Sequence, residues 1–221
     1  MSGPGPTCDG CYDKAFDSRE ARALQRSYRR SGPGRTTRAL ATALAPDGAA
    51  GLSLIDIGGG VGGLQHLLLE SGAARVIDVD ASGPYLEVAR EEAERRGFGD
   101  RATFRHADFV AVESELEAAD VVGLDRVVCC YHDVTALVNA AARHARQRLG
   151  IVLPPDGVIG RTFVRLVNAW QWLTRSDFRV YAHPHASVVE AAGLAGMALA
   201  SSERLGIWRM LVFERPAQAG G

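Results

Sequence analysis

The chain has 221 residues, of which 47% are hydrophobic and 23% charged, so it can bury one full-sized core but not two large ones. With 25 Lys and Arg residues against 26 Asp and Glu residues, its formal net charge is -1, which excludes the strong basic excess of proteins that bind nucleic-acid backbones. Charges interrupt every apolar stretch, and the amino terminus lacks the basic and apolar blocks of a secretory signal. We therefore expect a cytoplasmic protein with a small-molecule partner, and neither nucleic acid nor membrane.

The amino-terminal part precedes any strand pattern. Residues 1–17 are rich in Gly and Pro with little periodic apolar content, which is typical of a mobile leader. Helices are predicted over residues 18–30, with Ser18 as the N-cap, and over residues 36–44. We expect residues 18–46 to form a helical lid.

From residue 52 onward, strand patterns alternate with helix patterns, which predicts an α/β fold with a parallel sheet. Strands are expected over residues 52–56, 75–79, 102–106, 120–125, 150–154, 198–205 and 207–214, and helices over residues 64–72, 82–96 and 134–148 and after Gly160. The link between the last two strands has no room for a helix, so these strands are expected to be antiparallel. Residues 18–221 then form one domain, with a substrate-side insert over residues 155–185.

A glycine-rich turn follows the first predicted strand. Gly58, Gly60 and Gly62 lie where the chain passes from a strand into a helix, so the backbone can approach a ligand closely and the helix N-terminus offers free N–H groups. The same turn fits the pattern G-x-G-x-x-G, which leaves a nicotinamide or flavin dinucleotide site as an alternative at this point.

Aspartates end the first three strands. Asp56 can face the amino-acid moiety of a ligand, whereas a dinucleotide fingerprint has an apolar residue in that position. Asp80 can accept hydrogen bonds from both hydroxyls of a ribose. Asp108 can accept from an adenine amino group, with Phe109 available to pack on the ring. Each aspartate alone could be a helix cap or a surface group, but the ordered set favours S-adenosylmethionine as the ligand.

These residues carry a family resemblance. The series Asp56-x-Gly58-x-Gly60-x-Gly62, followed by Asp80 and by Asp108, resembles the motifs of class I S-adenosylmethionine-dependent methyltransferases over about residues 52–151. The resemblance implies a Rossmann-like, seven-stranded, mostly parallel sheet with a terminal antiparallel hairpin. It also implies S-adenosylmethionine as methyl donor and S-adenosylhomocysteine as product.

Within that class, residues 124–131 and the pair Tyr28 and Gly32 are similar to magnesium-protoporphyrin O-methyltransferases. In those enzymes, a tyrosine near the amino terminus and a histidine after the fourth strand are associated with methyl transfer to a propionate. Tyr28 fits the first position. The second falls near Cys130, about two residues before His132.

Methyl transfer is an in-line displacement, which needs a general base only when the acceptor carries a proton. His132, just past the fourth strand, is the first candidate for that base, and Asp125 and Tyr28 are the others. Each candidate also has a purely structural interpretation: His132 could face solvent, Asp125 could pair with an arginine, and Tyr28 could pack in the core. The candidate substrate-binding residues are Cys130, Tyr131, Arg161, Trp170, Tyr181 and His183.

The four cysteines, Cys8, Cys11, Cys129 and Cys130, are formally enough to bind zinc or a thiol-seeking metalloid. Neighbouring cysteines rarely both reach one ion and there is no second C-x-x-C motif, so we expect no metal. Cys129 and Cys130 are then small apolar residues at the end of a strand.

The sequence therefore predicts methyl transfer from S-adenosylmethionine to a small molecule, on a carboxylate or hydroxyl oxygen rather than on nitrogen, carbon or sulfur. Two alternatives stay open at this stage: a catalytically silent partner protein that binds the donor, and a nicotinamide-dependent oxidoreductase. Monomer and homodimer are both compatible with the sequence.

Overall fold

The structure is a computed structural model that describes residue 13 and residues 17–173 and 178–216. Most of the predicted leader, with Cys8 and Cys11, lies outside the described residues. No helix within the described ranges is long and apolar enough to cross a membrane.

The described residues form a seven-stranded sheet with the order β3-β2-β1-β4-β5-β7-β6. Its strands are β1 (Ser53–Ile57), β2 (Arg75–Asp80), β3 (Ala102–His106), β4 (Ala119–Asp125), β5 (Ala145–Leu153), β6 (Ala198–Leu205) and β7 (Trp208–Glu214). Strands β1 to β5 pair in parallel, and β7 lies antiparallel between β5 and β6. The predicted Rossmann-like sheet with a terminal antiparallel hairpin is confirmed.

Helices cover both faces of the sheet. They are α1 (Ser18–Ser31), α2 (Arg35–Leu44), α3 (Gly63–Glu70), α4 (Gly83–Arg95), α5 (Phe109–Val112), α6 (Val134–His144), α7 (Gly157–Leu173) and α8 (His185–Leu194). Apolar side chains of α2 and α3 pack on one face in a cluster that includes Leu54. Those of α6 and α8 pack on the other face in a cluster that includes Ile55. Side chains alternate between faces along a strand, so Asp56 lies on the same face as Leu54, beneath α3.

Helix α2 belongs to the core and not to a lid. Leu40 and Leu44 on this helix are fully buried, and a Cβ at Gly150 of β5 would collide with Leu40. The glycine therefore lets α2 approach the sheet at backbone distance. The predicted lid over residues 18–46 is therefore divided: α1, residues 32–34 and Thr37 at the start of α2 line the cavity described below, whereas the rest of α2 packs in the core.

Differences from the sequence-based prediction include the cap of α1, the end of α6 and the presence of α8. Helix α1 is capped by Asp17, whose Oδ1 accepts from the N–H of Glu20 at 2.9 Å, and not by Ser18. Helix α6 ends at His144 instead of residue 148, because the residues that follow pair with β4 on one side and β7 on the other. Helix α8 was not predicted.

Candidate active site

A cavity of about 700 Å³ opens at the carboxyl edge of the parallel strands. Its walls come from the glycine-rich turn, from the ends of β2, β3 and β4, and from α1. The volume is within the range of small-molecule sites, and the position is the usual one for ligands of open α/β sheets.

The glycine-rich turn needs its glycines. Gly58, Gly60 and Gly62 have φ angles of 66°, 60° and 83°, which lie in the left-handed region that other residues rarely adopt. A Cβ at Gly58 would also lie 2.6 Å from the side chain of Val127. The backbone of the turn is therefore bare toward the cavity and leads directly into the N-terminus of α3.

Asp80 lies at the end of β2 and lines the cavity. It accepts hydrogen bonds from the N–H groups of Ser82 at 2.8 Å and Gly60 at 3.2 Å. Burial raises the pKa of Asp80, and these two hydrogen bonds act against the rise. A carboxylate has about four lone-pair positions, so Asp80 keeps the capacity to accept from two ligand hydroxyls.

Asp108 and Phe109 line the neighbouring part of the cavity. Asp108 caps α5 by accepting from the N–H of Val110 at 2.9 Å. Tyr131 donates its hydroxyl to the same carboxylate, at 3.0 and 3.1 Å from the two oxygens. Tyr131, which the sequence suggested as an acceptor contact, therefore lies at the Asp108 end of the cavity. Phe109 is buried, edge-on to the ring of His144.

Asp56 lines the cavity from below and is 1% exposed. Its Oδ2 has no hydrogen-bond partner within the described part of the chain. Burial raises the pKa of Asp56 to about 8, and the carboxylates of Asp125 and Asp80 add to the rise. An unpartnered buried acceptor that faces a cavity fits a ligand cation such as an α-ammonium group.

Two polar residues near Asp56 were missed from the sequence. Asp78 is fully buried, and Gln65 donates to its Oδ2 at 2.8 Å. The signal for Asp78 was its position in β2, two residues before Asp80, because side chains two apart on a strand share a face. Gln65 gave no comparable signal.

Tyr28 also has a partner that the sequence did not suggest. Its hydroxyl lies 3.0 Å from Nδ1 of His66, a fully buried residue of α3. Burial raises the pKa of Tyr28 to about 12 and lowers the pKa of His66 to about 4. Arg96 covers the tyrosine ring at 4.9 Å. Tyr28 lines the cavity, but its hydroxyl is neutral and already engaged with His66.

Asp125 and Arg126 form the wall at the end of β4. Asp125 accepts from the hydroxyl of Thr37 at 2.6 Å and from Nε of Arg126 at 3.1 Å, so the pairing with an arginine that the sequence left open is present. Among the described residues other than glycine, Arg126 alone has a positive φ, 67°. Such strained backbone is often found at functional sites. Its guanidinium lies 6.0 Å from the ring centre of Trp208.

His132 lies outside the cavity wall. It is exposed and stacks on the ring of Tyr131 at 5.1 Å. The interpretation of His132 as a solvent-facing residue at the start of a helix agrees with this geometry, so its role as general base has no structural support.

The remaining candidates are divided between the cavity wall and its surroundings. Cys130 lines the cavity, with its Sγ 3.8 Å from that of Cys129. Tyr181 donates its backbone N–H to the carbonyl of Cys129 at 2.7 Å, and Nε2 of His183 lies 2.8 Å from the carbonyl of Tyr131, so both residues support the wall from behind.

Two candidates on α7 are not brought to the cavity. Trp170 is 66% exposed and does not line it. The side chain of Arg161 lies outside the described residues. Within the described ranges, no cluster of His, Cys, Asp and Glu side chains could hold a metal ion.

The chain is similar to known methyltransferases. Residues 54–157 match the model of a methyltransferase-domain family. The methyltransferase ungE' of Aspergillus campestris is 37% identical over 73 residues, which are 32% of this chain and 21% of the fungal protein. The match therefore covers about a fifth of that protein's length.

Solved structures show the same fold. Magnesium protoporphyrin IX methyltransferase from Synechocystis PCC 6803, with S-adenosylhomocysteine bound, superposes with a TM-score of 0.71 at 22% identity, over 94% of this chain and 99% of that one. An O-methyltransferase family protein from Burkholderia thailandensis gives a TM-score of 0.72 at 19% identity, over 99% of this chain and 66% of that one. Residues 54–157 thus match a methyltransferase domain, and in motif series and fold the chain is similar to the class I S-adenosylmethionine-dependent methyltransferases.

Proposed function

We propose that this chain transfers the methyl group of S-adenosylmethionine to a carboxylate or hydroxyl oxygen of a small molecule. The observation that carries the proposal is that one cavity collects Asp56, the bare glycine turn, Asp80 and Asp108 on one side and Asp125 with Arg126 on the other. The solved relatives include enzymes named for O-methylation, which supports oxygen as the acceptor atom.

The first group of residues fits the donor. Asp56, with its unpartnered Oδ2, faces the α-ammonium group, and Asp80 accepts from the ribose hydroxyls. Asp108 accepts from the adenine amino group, with Phe109 against the ring. When bound, the donor supplies an electrophilic methyl on a sulfonium. Asp56, Asp80 and Asp108 fix the direction in which that methyl points, and this positioning is their contribution to catalysis.

The Asp125–Arg126 wall fits the acceptor. Arg126 keeps guanidinium N–H groups beyond those it gives to Asp125, so it can hold an acceptor carboxylate in the cavity. A carboxylate is ionised at neutral pH and needs positioning but no base. For a hydroxyl acceptor, Asp125 is the carboxylate on this wall that can take the proton.

The donor half of the proposal is tested by Asp80→Ala. We expect S-adenosylhomocysteine affinity to fall by more than about tenfold, because one substitution removes the acceptor of two ribose hydrogen bonds. Titration calorimetry measures this, with circular dichroism to show that the variant is folded. Asp47→Ala, at an exposed carboxylate that does not line the cavity, is the matched control and should bind normally. Unchanged affinity in folded Asp80→Ala would remove Asp80 from the donor site.

The catalytic half is tested by turnover. S-adenosylhomocysteine release should rise when the protein and S-adenosylmethionine are incubated with a small-molecule extract of the producing cells, and mass spectrometry should find a product heavier by one methylene. Tight donor binding without release from any extract would indicate the catalytically silent alternative. Alkaline hydrolysis of the product separates a methyl ester from a methyl ether and so decides between the two oxygen acceptors.

A further inference from the structure

Two carboxyl groups lie side by side beneath the glycine-rich turn. Asp56 of β1 and Asp78 of β2 are register partners on adjacent parallel strands. Their side chains therefore leave the same face of the sheet, from backbones about 4.8 Å apart. Asp56 is 1% exposed and Asp78 is 0% exposed, so both carboxyl groups are withdrawn from bulk solvent.

The surroundings of this pair supply too few donors. The backbone N–H groups of Gln65 and Gly59 donate to Asp56 and Asp78, and the side chain of Gln65 donates to Oδ2 of Asp78. Nevertheless, Oδ2 of Asp56, Oδ1 of Asp78 and Oε1 of Gln65 have no hydrogen-bond partner within the described part of the chain. All three atoms are acceptors. The charged groups that act on the pair are Asp80 from β2 and Asp125 from β4, and both are acidic. The cluster therefore has more hydrogen-bond acceptors than donors, and one added proton would supply a donor.

We propose that Asp56 and Asp78 share one proton beneath the glycine-rich turn, and that binding of the donor releases part of this proton to solvent. Two buried carboxylates this close repel each other strongly, and one shared proton removes the repulsion. The same proton provides the missing donor between two unpartnered oxygens. The pair then carries a single negative charge in the free protein.

The pair is connected to the donor through Asp56 and through the turn. Asp56 lines the cavity, whereas Asp78 lies under Gly59, where a Cβ would be 2.7 Å from both carboxylate oxygens. An α-ammonium group at Asp56 favours the ionised pair, so the proton becomes easier to lose. This step rests on the proposed function, because it takes S-adenosylmethionine and its product as the ligands.

The titration range makes the release measurable near neutral pH. Burial raises the pKa of Asp56 to about 8, and burial with the charge of Asp56 raises the pKa of Asp78 well above its usual range. A carboxyl whose pKa is higher in the folded state stabilises the fold below its unfolded pKa. That stabilisation is lost as the pH rises through the folded pKa. The free protein should therefore lose stability between about pH 4 and pH 8 on account of this pair.

Titration calorimetry with S-adenosylhomocysteine at pH 7.5, in phosphate and in Tris, tests the proposal, because the two buffers differ in ionisation enthalpy. We expect release of about half a proton for the wild type. Asp78→Asn should reduce the release to less than half of the wild-type value, since the amide does not titrate and its donated hydrogen bond favours the ionised form of Asp56. It should also raise the melting temperature at pH 8 relative to the wild type, which a merely disruptive substitution would not do.

Asp120→Asn is the matched control. Asp120 lies at the opposite end of β4 and accepts from the N–H and Oγ of Ser53 at 2.8 and 2.6 Å. This variant should release the same fraction of a proton as the wild type. It shows that removal of a sheet aspartate does not by itself change the linkage.

An infrared difference spectrum of the wild type provides a readout that does not depend on a variant. The free protein at pH 7 should show the carbonyl band of a protonated carboxylic acid, which decreases when S-adenosylhomocysteine binds. Equal binding enthalpies in the two buffers, or absence of the band, would overturn the shared proton and leave the proposed function intact. Absence of any donor binding would instead overturn the proposed function.

Discussion

The sequence suggests Tyr28 and His132 as candidates for the general base. Their burial differs, because Tyr28 is buried and His132 is exposed. Tyr28 lines the cavity, but its hydroxyl is engaged with His66 and burial raises its pKa to about 12. His132 is exposed and lies outside the wall of the cavity. Neither residue is therefore placed and charged as a ready base, and Asp125 is the remaining candidate for a hydroxyl acceptor.

His132→Ala should accordingly change turnover by less than about threefold, because no contact between the imidazole and the cavity is lost. The measurement is the rate of S-adenosylhomocysteine release from a small-molecule extract at several pH values between 6 and 8.5. Tyr28→Phe is the contrasting variant and should destabilise the fold by about 1 kcal/mol, because it leaves buried His66 without its hydrogen bond. A hundredfold loss in His132→Ala would restore this histidine as the base.

At the scale of elements, ion pairs and hydrogen bonds between side chains connect α1 to α4. Arg22 pairs with Glu91, Gln25 donates to both Glu91 and Glu92, and Arg29 lies 2.5 Å from Glu92. Glu92 is fully buried, so α1 is held over the cavity mainly by one carboxylate. Burial would raise the pKa of Glu92, but hydrogen bonds from arginines outweigh it and hold the pKa below its usual range.

Glu92→Gln should destabilise the fold by about 2 kcal/mol, because it weakens hydrogen bonds between a buried carboxylate and two half-exposed arginines. Urea denaturation measures the loss, and hydrogen exchange should become faster in α1 than in the sheet. Since the folded pKa of Glu92 is depressed, its contribution is present above the unfolded pKa and disappears as the pH falls below about 4.5. Glu87→Gln is the matched control: its pair with Arg22 is exposed, so less than about 1 kcal/mol should be lost. Equal effects of both variants would contradict the anchoring role of Glu92.

At the scale of the whole molecule, the donor cavity is assembled from strands on both sides of β1 and from α1. A ligand that fits it therefore bridges the parts of the fold and should stabilise all of them together. Thermal stabilisation by added ligand therefore tests whether S-adenosylhomocysteine or a nicotinamide dinucleotide fits the cavity.

S-adenosylhomocysteine at a hundred times its dissociation constant should stabilise the protein by about 2.7 kcal/mol, which corresponds to a rise of about 5–10 °C in the melting temperature. Differential scanning fluorimetry with the ligand series measures it. NAD⁺ at the same concentration should leave the melting temperature unchanged, because Asp56 stands where a dinucleotide site has an apolar residue. Protection by NAD⁺ and none by S-adenosylhomocysteine would favour the oxidoreductase.

The donor side was accessible from the sequence because its chemistry follows local order. Each of Asp56, Asp80 and Asp108 ends a strand that the residue pattern predicts, and parallel strands bring their carboxyl ends to one edge. The glycines were equally readable, since a turn with left-handed φ angles requires them. The same locality explains why the strand bounds were predicted to within a few residues for most of the sheet.

Only the tertiary structure decided what depends on contacts between distant residues. The burial of α2 depends on glycines in β4 and β5, and the end of α6 depends on pairing with β4 and β7. The partner of Tyr28 and the position of Asp78 beside Asp56 are likewise set by packing across the sheet. The sequence by itself indicated S-adenosylmethionine as the ligand, because the residue types that fit it stand at the ends of predictable strands. Which groups carry protons at the site depends on burial, and burial exists only once the chain has folded.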